Sequence, residues 1–379
     1  MYKSNDGRSK GLNILVGMSG GVDSSTAALM LKEQGHKVIG VTMAIYRGKL
    51  NTTTSYKCGG ACYGPDEKED IEAARNICNQ IGIDYYVFDC VEKYNEIVLE
   101  KFKKEYLSGR TPNPCVWCNS LIKFDVLPRI ARLNGIEFDK FATGHYARIE
   151  VEDGRYILKR GKNPKKDQSY FLYRLKQEQL KNILLPLGDY TKEEIRKRAE
   201  KCGLAVADKP DSQDFYEGDY NELLGVDPKP GNIVDTDGKV LGEHQGIWNY
   251  TIGQRKGLGI SSSEALYVIE LRKDTNEVVV GFKDKTFSDR LTAVDLNWIA
   301  IDKLEKEISC QAKIRSTQSP ANVRVKPLDS GNIEVLFENM QKSIAPGQSV
   351  VLYDGDIVLG GGIISVSYTH LTLPTTSRV

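Results

Sequence analysis

The chain predicts an α/β fold, a parallel sheet clad by helices, followed by two smaller β-rich domains. Three observations lead there. Short apolar runs alternate with helix-period segments up to Thr143, a glycine-rich loop joins the first strand to the first helix, and after Asp208 short β-branched runs separated by turn pairs take over.

The elements follow in order. Asn13 to Val16 is a short apolar run, and Ser24 to Gln34 carries apolar residues at helical spacing until Gly35 stops it. Lys37 to Met43 reads as the second strand, Glu67 to Ile81 as a helix closed by Gly82, and Asp84 to Phe88 as the third strand. Glu92 to Ser108 is helical and charge-rich, Arg110 to Asn119 a loop stiffened by two prolines, Leu121 to Asn134 another helix, and Asp139 to Thr143 the last strand of the sheet. Thr191 to Cys202 is a helix with Thr191 as N-cap, Glu194 completing a capping box and Gly203 as C-cap. From Gly231 onward the turn pairs Asp237-Gly238 and Asp354-Gly355 mark small all-β units. The expected domains are 1–208, 209–286 and 287–365. The tail 366–379, reading VSYTHLTLPTTSRV, breaks the preceding β pattern and is expected to be non-native.

Lys and Arg number 52 against 51 Asp and Glu, so any contact with nucleic acid rests on local patches rather than a global field. No signal-like start and no bilayer-length apolar run occur, and a cytoplasmic protein is expected. In that setting the eight cysteines read as thiols, ligands or nucleophiles rather than a disulfide framework.

Two strings carry chemistry. Gly17-Met18-Ser19-Gly20-Gly21-Val22-Asp23-Ser24 joins a strand to a helix. Its glycines let backbone approach an oligophosphate, Ser19 and Ser24 offer hydroxyls, and the first N–H groups of the helix point at the anion. Asp23 is a candidate for holding magnesium or the nucleotide. No Walker lysine is present. Met43 and Gly144 end strands at the carboxyl edge of the sheet, where a nucleotide would lie, although for Met43 alone core packing is the better account. The second string, Arg110-Thr111-Pro112-Asn113-Pro114-Cys115-Val116-Trp117-Cys118-Asn119, holds a CxxC. A thiol on a stiff loop beside a helix start is expected to be exposed, with a lowered pKa. By itself the CxxC fits a zinc half-site, a redox pair, an iron–sulfur half-site or a sulfur-transfer site.

The first string resembles the pyrophosphate loop of enzymes that split ATP into AMP and pyrophosphate. Taken with GRTPNPCxxCNxxIKF, ATGHYAR, KDQSYFLY, DSQDF and GIWNYTIGQRKGLGI, the chain resembles the tRNA-specific 2-thiouridylases (MnmA type) from about Leu12 to Ile364. The resemblance implies an ATP-pyrophosphatase domain of the adenine nucleotide alpha hydrolase-like class. It implies ATP with Mg2+ and adenylation of the C2 oxygen of the wobble uridine in tRNA, followed by sulfur transfer. It makes Cys118 the sulfur-handling cysteine, puts Asn113, Pro114 and Cys115 at the target base, and gives tRNA contacts to Lys166, Asp167, Gln168, Arg315 and Ser316. Ser316 departs from the usual residue. Gln254, Arg255 and Lys256 stay without a role, and His145 is as readily structural as functional. The sulfur donor is expected to be a cysteine desulfurase, a sulfur-relay protein or free sulfide.

One departure matters. The family's second sulfur-handling cysteine follows the Asp211-Ser212 motif, and Tyr216 stands where it is counted. Either another thiol replaces it, or a mechanism without such a partner operates. Cys115 replaces a common aspartate, and Cys58 and Cys62 occupy a glycine-rich loop, so Cys115, Cys118 and Cys62 are candidate ligands of an iron–sulfur cluster. The alternatives are an ATP-pyrophosphatase that thiolates another tRNA position and a non-catalytic tRNA-binding relative.

Overall fold

A computed structural model describes residues 11–48, 62–204, 215–216 and 218–367. Cys58, Asp211 to Asp214 and the tail from Tyr368 lie outside the described residues. The chain divides into two compact units. The first takes its described residues up to Leu99, then from Pro114 to Gly218 and Asp356–Val358; the second takes Glu100–Asn113, Asp219–Gly355 and the chain from Leu359.

In the first unit β1 (Asn13–Gly17), α1 (Val22–Glu33), β2 (Lys37–Ala44), α2 (Glu67–Ile81) and β3 (Asp84–Asp89) alternate as the periodicity predicts. α3 (Val91–Tyr94) runs into a π-helical turn (Asn95–Leu99), and the following α4 (Glu100–Leu107) belongs to the second unit. α5 (Pro114–Trp117) leads into a π-helix (Cys118–Val126) and α6 (Leu127–Leu133). Then come β4 (Lys140–Ala142), the β5 (Ala147–Glu152) and β6 (Arg155–Arg160) hairpin, α7 (Gln177–Leu180), β7 (Ile183–Leu184) and α8 (Lys192–Lys201).

The sheet is five-stranded and parallel, in the order β3-β2-β1-β4-β7. Ile14, Leu15 and Val16 of the central β1 are fully buried, as expected for a strand covered on both faces. Ile14, Val16, Leu31, Ile77 and Ala142 share one core cluster, while Ala27, Met30, Tyr146, Leu187 and Ile195 form another that joins α1 to α8.

Three features differ from the sequence reading. The expected loop from Arg110 to Asn119 is helical from Pro114 onward, because proline at a first helical position lacks only an N–H that would be unpaired there anyway. The sheet continues past Thr143 through β7, whose two residues are too few to show a period. The β5–β6 hairpin turns at Asp153-Gly154, both at positive φ, a two-residue turn that the Asp-Gly pair favours.

In the second unit α9 (Tyr220–Leu224) precedes a four-stranded sheet of order β10-β11-β8-β9, formed by β8 (Gly231–Val234), β9 (Val240–His244), β10 (Tyr267–Arg272) and β11 (Glu277–Gly281). β12 (Phe287–Trp298), β13 (Ile308–Lys313), β14 (Ala321–Pro327), β15 (Ile333–Lys342), β16 (Ser349–Asp354) and β17 (Ile357–Ser367) follow in the order β12-β15-β14-β13-β16-β17. β17 also pairs with β12, which closes these strands into a barrel around Leu291, Val325, Val335 and Leu352. The segment after α4 is pinned to this barrel: Thr111 N–H donates to the Pro346 carbonyl at 2.8 Å, and Gln348 donates to the Thr111 carbonyl at 3.0 Å. Among the described residues no helix is long and apolar enough to cross a membrane.

The predicted capping box on α8 is present. Thr191 Oγ1 accepts from Glu194 N–H at 3.2 Å, and Glu194 accepts from Thr191 N–H at 2.7 Å. Replacing Thr191→Ala is expected to lower unfolding free energy by about 1 kcal/mol, read from the midpoint of a urea titration at unchanged slope. An unchanged midpoint would show that the cap contributes nothing to stability.

Candidate active site

The phosphate loop is held by its own backbone. Met18 N–H donates to the Val41 carbonyl at 2.8 Å and Thr42 Oγ1 donates to the Met18 carbonyl at 2.7 Å, so β2 fixes the loop's first residue. Gly20 sits at φ +71, and a side chain there would collide with the Asp70 carbonyl on α2. Ser19 N–H donates to Ser24 Oγ at 3.2 Å, and the two hydroxyls lie 3.2 Å apart. Gly144 packs on the start of α1, where a Cβ would stand 2.7 Å from Ser24 N. Met18 and Val22 bury their side chains in the core, so they can offer only backbone to a ligand. Met43, at the end of β2, is half-buried.

Asp23 does not project freely from this loop. Its carboxylate accepts from Lys192 Nζ at 2.7 and 2.8 Å and from the Tyr146 hydroxyl at 2.8 Å. Lys192 is the first residue of α8 and is only 5% exposed, so an ammonium is kept beside the start of α1. Both carboxylate oxygens of Asp23 thus accept from protein donors. Lys192 is the residue that sequence reasoning misses. The absent Walker lysine was a signal that the cation comes from elsewhere, but nothing in the local pattern names a position so far along the chain.

Lys192 also lines an open cleft of about 580 Å³ with Asn163, Lys165, Lys166 and Arg196. With Lys192 paired to Asp23, Lys165, Lys166 and Arg196 are the cations the cleft offers, beside the Glu193 carboxylate, and three cations on one cleft suit a polyanion. Asp167 turns inward: its side chain accepts from Gly161 and Ser169 N–H at 3.2 and 3.1 Å and lies 3.4 Å from Arg160 Nε. Gln168 exchanges two hydrogen bonds of 2.9 Å with the Tyr146 backbone. Asp167 and Gln168 therefore build the loop that presents Lys166.

Cys115 and Cys118 lie on successive turns where α5 passes into the π-helix, and Lys123 follows Cys118 by one π-turn. Cys118 is half-buried, and burial pushes its thiol up to about 11, an effect that the Lys123 ammonium only partly offsets and the Cys62 thiol reinforces. The expectation of a lowered pKa is overturned. The helix start is present, but desolvation outweighs it. His145 bonds through Nδ1 to Thr143 Oγ1 at 2.7 Å, and burial, with Lys123 nearby, keeps it neutral. Tyr216 is buried in an aromatic group with Tyr63.

Within the second unit Asn113, Arg315 and Ser316 share a pocket of about 550 Å³ with Thr111, Gln254 and Gln348. Arg315 Nη2 donates to the Ser343 carbonyl at 2.9 Å. Gln254 is spent on its own turn, accepting from Thr251 N–H at 3.0 Å and donating to the Lys256 carbonyl at 3.0 Å.

Three family models match the chain: a tRNA methyl transferase HUP domain over residues 12–216, a tRNA methyl transferase PRC-barrel domain over 223–282, and an aminomethyltransferase beta-barrel domain over 288–364. The tRNA-specific 2-thiouridylase MnmA of Endomicrobium trichonymphae is 48% identical over 357 residues, covering 93% of this chain and 99% of that protein. The protein of the same name from Acetivibrio thermocellus is 46% identical over 360 residues, covering 93% and 98%. The chain belongs to the tRNA-specific 2-thiouridylase family. The glycine-rich loop and the Cys115–Cys118 pair both lie in the first unit.

The thiolate is the reactive form of cysteine. Alkylation of Cys118 by iodoacetamide, followed by peptide mass spectrometry, should therefore accelerate about tenfold per pH unit from roughly pH 7 to 10. A rate already level by neutral pH would contradict the burial-raised thiol.

Proposed function

We propose that this 2-thiouridylase adenylates the C2 oxygen of the wobble uridine in tRNA with ATP and then replaces that oxygen with sulfur. The observation that carries the reading is the combination, in one compact unit, of the glycine-rich phosphate loop with its Asp23–Lys192 pair and the Cys118 thiol with Lys123 one π-turn on. The C2 oxygen attacks the α-phosphate and pyrophosphate leaves. A poor leaving group becomes a good one, and sulfur delivered by Cys118 displaces AMP.

In this reading the N–H groups at the start of α1 and the Ser19 and Ser24 hydroxyls hold the departing pyrophosphate. Lys192, kept in place by Asp23 and Tyr146, balances the charge that builds on it. Lys165, Lys166 and Arg196 take tRNA phosphates along the basic cleft, and Asn113, Arg315 and Ser316 take nucleotides of the anticodon arm. Cys115 stands beside Cys118 toward the target base. The immediate sulfur source is a persulfide carried by a cysteine desulfurase or relay protein, and the enzyme works in the cytoplasm, where its tRNA is.

The magnesium that the resemblance implies and the iron–sulfur cluster that the cysteine pattern suggests gain no protein ligands in this reading. Among the described residues no three or more His, Cys, Asp or Glu side chains converge to hold a metal ion, Cys115, Cys118 and Cys62 included. The Asp23 carboxylate already carries Lys192 and Tyr146. Magnesium is therefore read as arriving with the ATP phosphates, and no step depends on a cluster.

Lys192→Met should abolish tRNA-stimulated exchange of pyrophosphate into ATP while leaving tRNA binding within a few-fold, because the cation serves the leaving group. Asp23→Ala should fail in the same way, and the double variant should be no worse than either single one, as for two residues acting as a unit. Wild-type exchange in the Lys192 variant would remove this pair from the mechanism. Lys166→Ala should weaken tRNA binding and reduce its salt slope by about one. An unchanged slope would return Lys166 to a solvated loop.

A further inference from the structure

Sulfur transfer from a persulfide leaves an electron balance that Cys118 alone cannot close. The outer sulfur of a persulfide is at the sulfane level, whereas the sulfur of a thiocarbonyl is at the sulfide level, so two electrons must be supplied. When the outer sulfur of a Cys118 persulfide attacks C2 and AMP leaves, the tRNA stays attached as Cys118–S–S–C2. Its S–S bond breaks toward product only when a second thiolate attacks the Cys118 sulfur. That thiolate ends in a disulfide with Cys118, and the electron pair leaves with the product sulfur.

The position counted for a second cysteine cannot do this, since Tyr216 carries no sulfur and is packed into the protein. The structure brings another thiol to the same place. Tyr63 N–H donates to the Phe215 carbonyl at 3.1 Å, and the Tyr63 ring stacks on Phe215 at 5.9 Å and lies 6.4 Å from the Tyr216 ring. The segment that starts with Cys62 therefore docks directly on residues 215 and 216. On its other side Tyr63 stacks on Tyr94 at 5.6 Å, and α3, which ends in Tyr94, packs against the π-helix that begins at Cys118.

We propose that Cys62 is the second thiol of sulfur transfer: it attacks the Cys118 sulfur to release thiolated tRNA, and a dithiol reductant then reopens the Cys62–Cys118 disulfide. The proposal rests on the function read above.

The electrostatics of the site agree. Burial raises the pKa of Tyr94 and the Cys118, Cys115 and Cys62 thiols add to it; Cys62 raises that of Cys118, and Lys123 draws Cys62 and Cys118 down against the burial that raises them. Lys123 thus faces both partners of the exchange and favours whichever is thiolate. Cys62 is exposed, so a reductant can reach it, although its sulfur is crowded enough for burial to raise its pKa. Of the other described thiols of the unit, Cys202 sits at the C-terminal end of α8 beside Glu33. Cys90 and Cys78 are buried, each pushed up to about 12, with no path for a reductant. Cys115 lies one turn before Cys118 on the same helical segment and is the rival thiol, whereas Cys62 comes from a separate segment that packs on residues 215 and 216.

The test is a single turnover of the reduced full-length protein with tRNA, ATP and glutathione persulfide, quenched by alkylation and analysed by peptide mass spectrometry. A disulfide between the Cys62 and Cys118 peptides should appear in step with 2-thiouridine. Cys62→Ser should keep pyrophosphate exchange, which involves no thiol and reports an intact fold, but hold tRNA covalently on Cys118 until dithiothreitol releases it as thiolated product. Unimpaired thiolation by Cys62→Ser, a disulfide joining Cys118 to Cys115 or Cys90, or protein prepared without oxygen that holds iron through Cys62 would overturn the assignment. If the unaltered protein exchanges pyrophosphate yet makes no 2-thiouridine from any sulfur source, the function itself is wrong and this assignment falls with it.

Discussion

The Asp23–Lys192 pair is the interaction on which the phosphate-binding half of the molecule depends. Lys192 is nearly sealed from solvent, and a buried ammonium persists only beside an anion. Asp23 supplies it, in the first turn of α1, where a carboxylate is also favoured by the helix dipole. Lys192 opens α8, an end that repels cations, so its position is set by Asp23 rather than by its own helix. Tyr146 completes the arrangement: its hydroxyl bonds Asp23 while its ring packs with Ala27, Met30, Leu187 and Ile195. One carboxylate thereby ties α1, α8 and the start of the β5–β6 hairpin around the glycine-rich loop. The loop itself is left with backbone donors, two hydroxyls and one neighbouring cation.

The thiol site is built on a different constraint. A π-helix costs hydrogen-bond geometry, and its local widening sets Lys123 one wide turn from Cys118. The desolvation that raises the thiol also strengthens whatever charge interaction Lys123 makes with it. Burial therefore favours the protonated Cys118 thiol, and the Lys123 ammonium favours its thiolate.

Most of the sheet was legible from period and punctuation. Glu67 to Ile81 ends at Gly82 in a left-handed conformation, and the Thr191–Glu194 box caps α8, because both signals are local. β7 was not legible, since two residues show no period. The helix at Pro114 was hidden because proline reads as a loop marker unless it sits at a helix start. Within the site, the SGGVDS string announces a phosphate loop because its requirements are backbone requirements. Lys192 could not be found that way: its role comes from a contact between residues 169 positions apart. The pKa of Cys118 is not legible for a related reason, since helix position is written in sequence and depth of burial is not.

The central claim is that ATP activates the uridine oxygen itself. The most direct test supplies tRNA labelled with ¹⁸O at the uridine C2 carbonyl, together with ATP and a persulfide, and measures the label in AMP by mass spectrometry. The account predicts AMP carrying one labelled oxygen for each 2-thiouridine formed. Unlabelled AMP with the ¹⁸O recovered in water, or ADP in place of AMP, would contradict it.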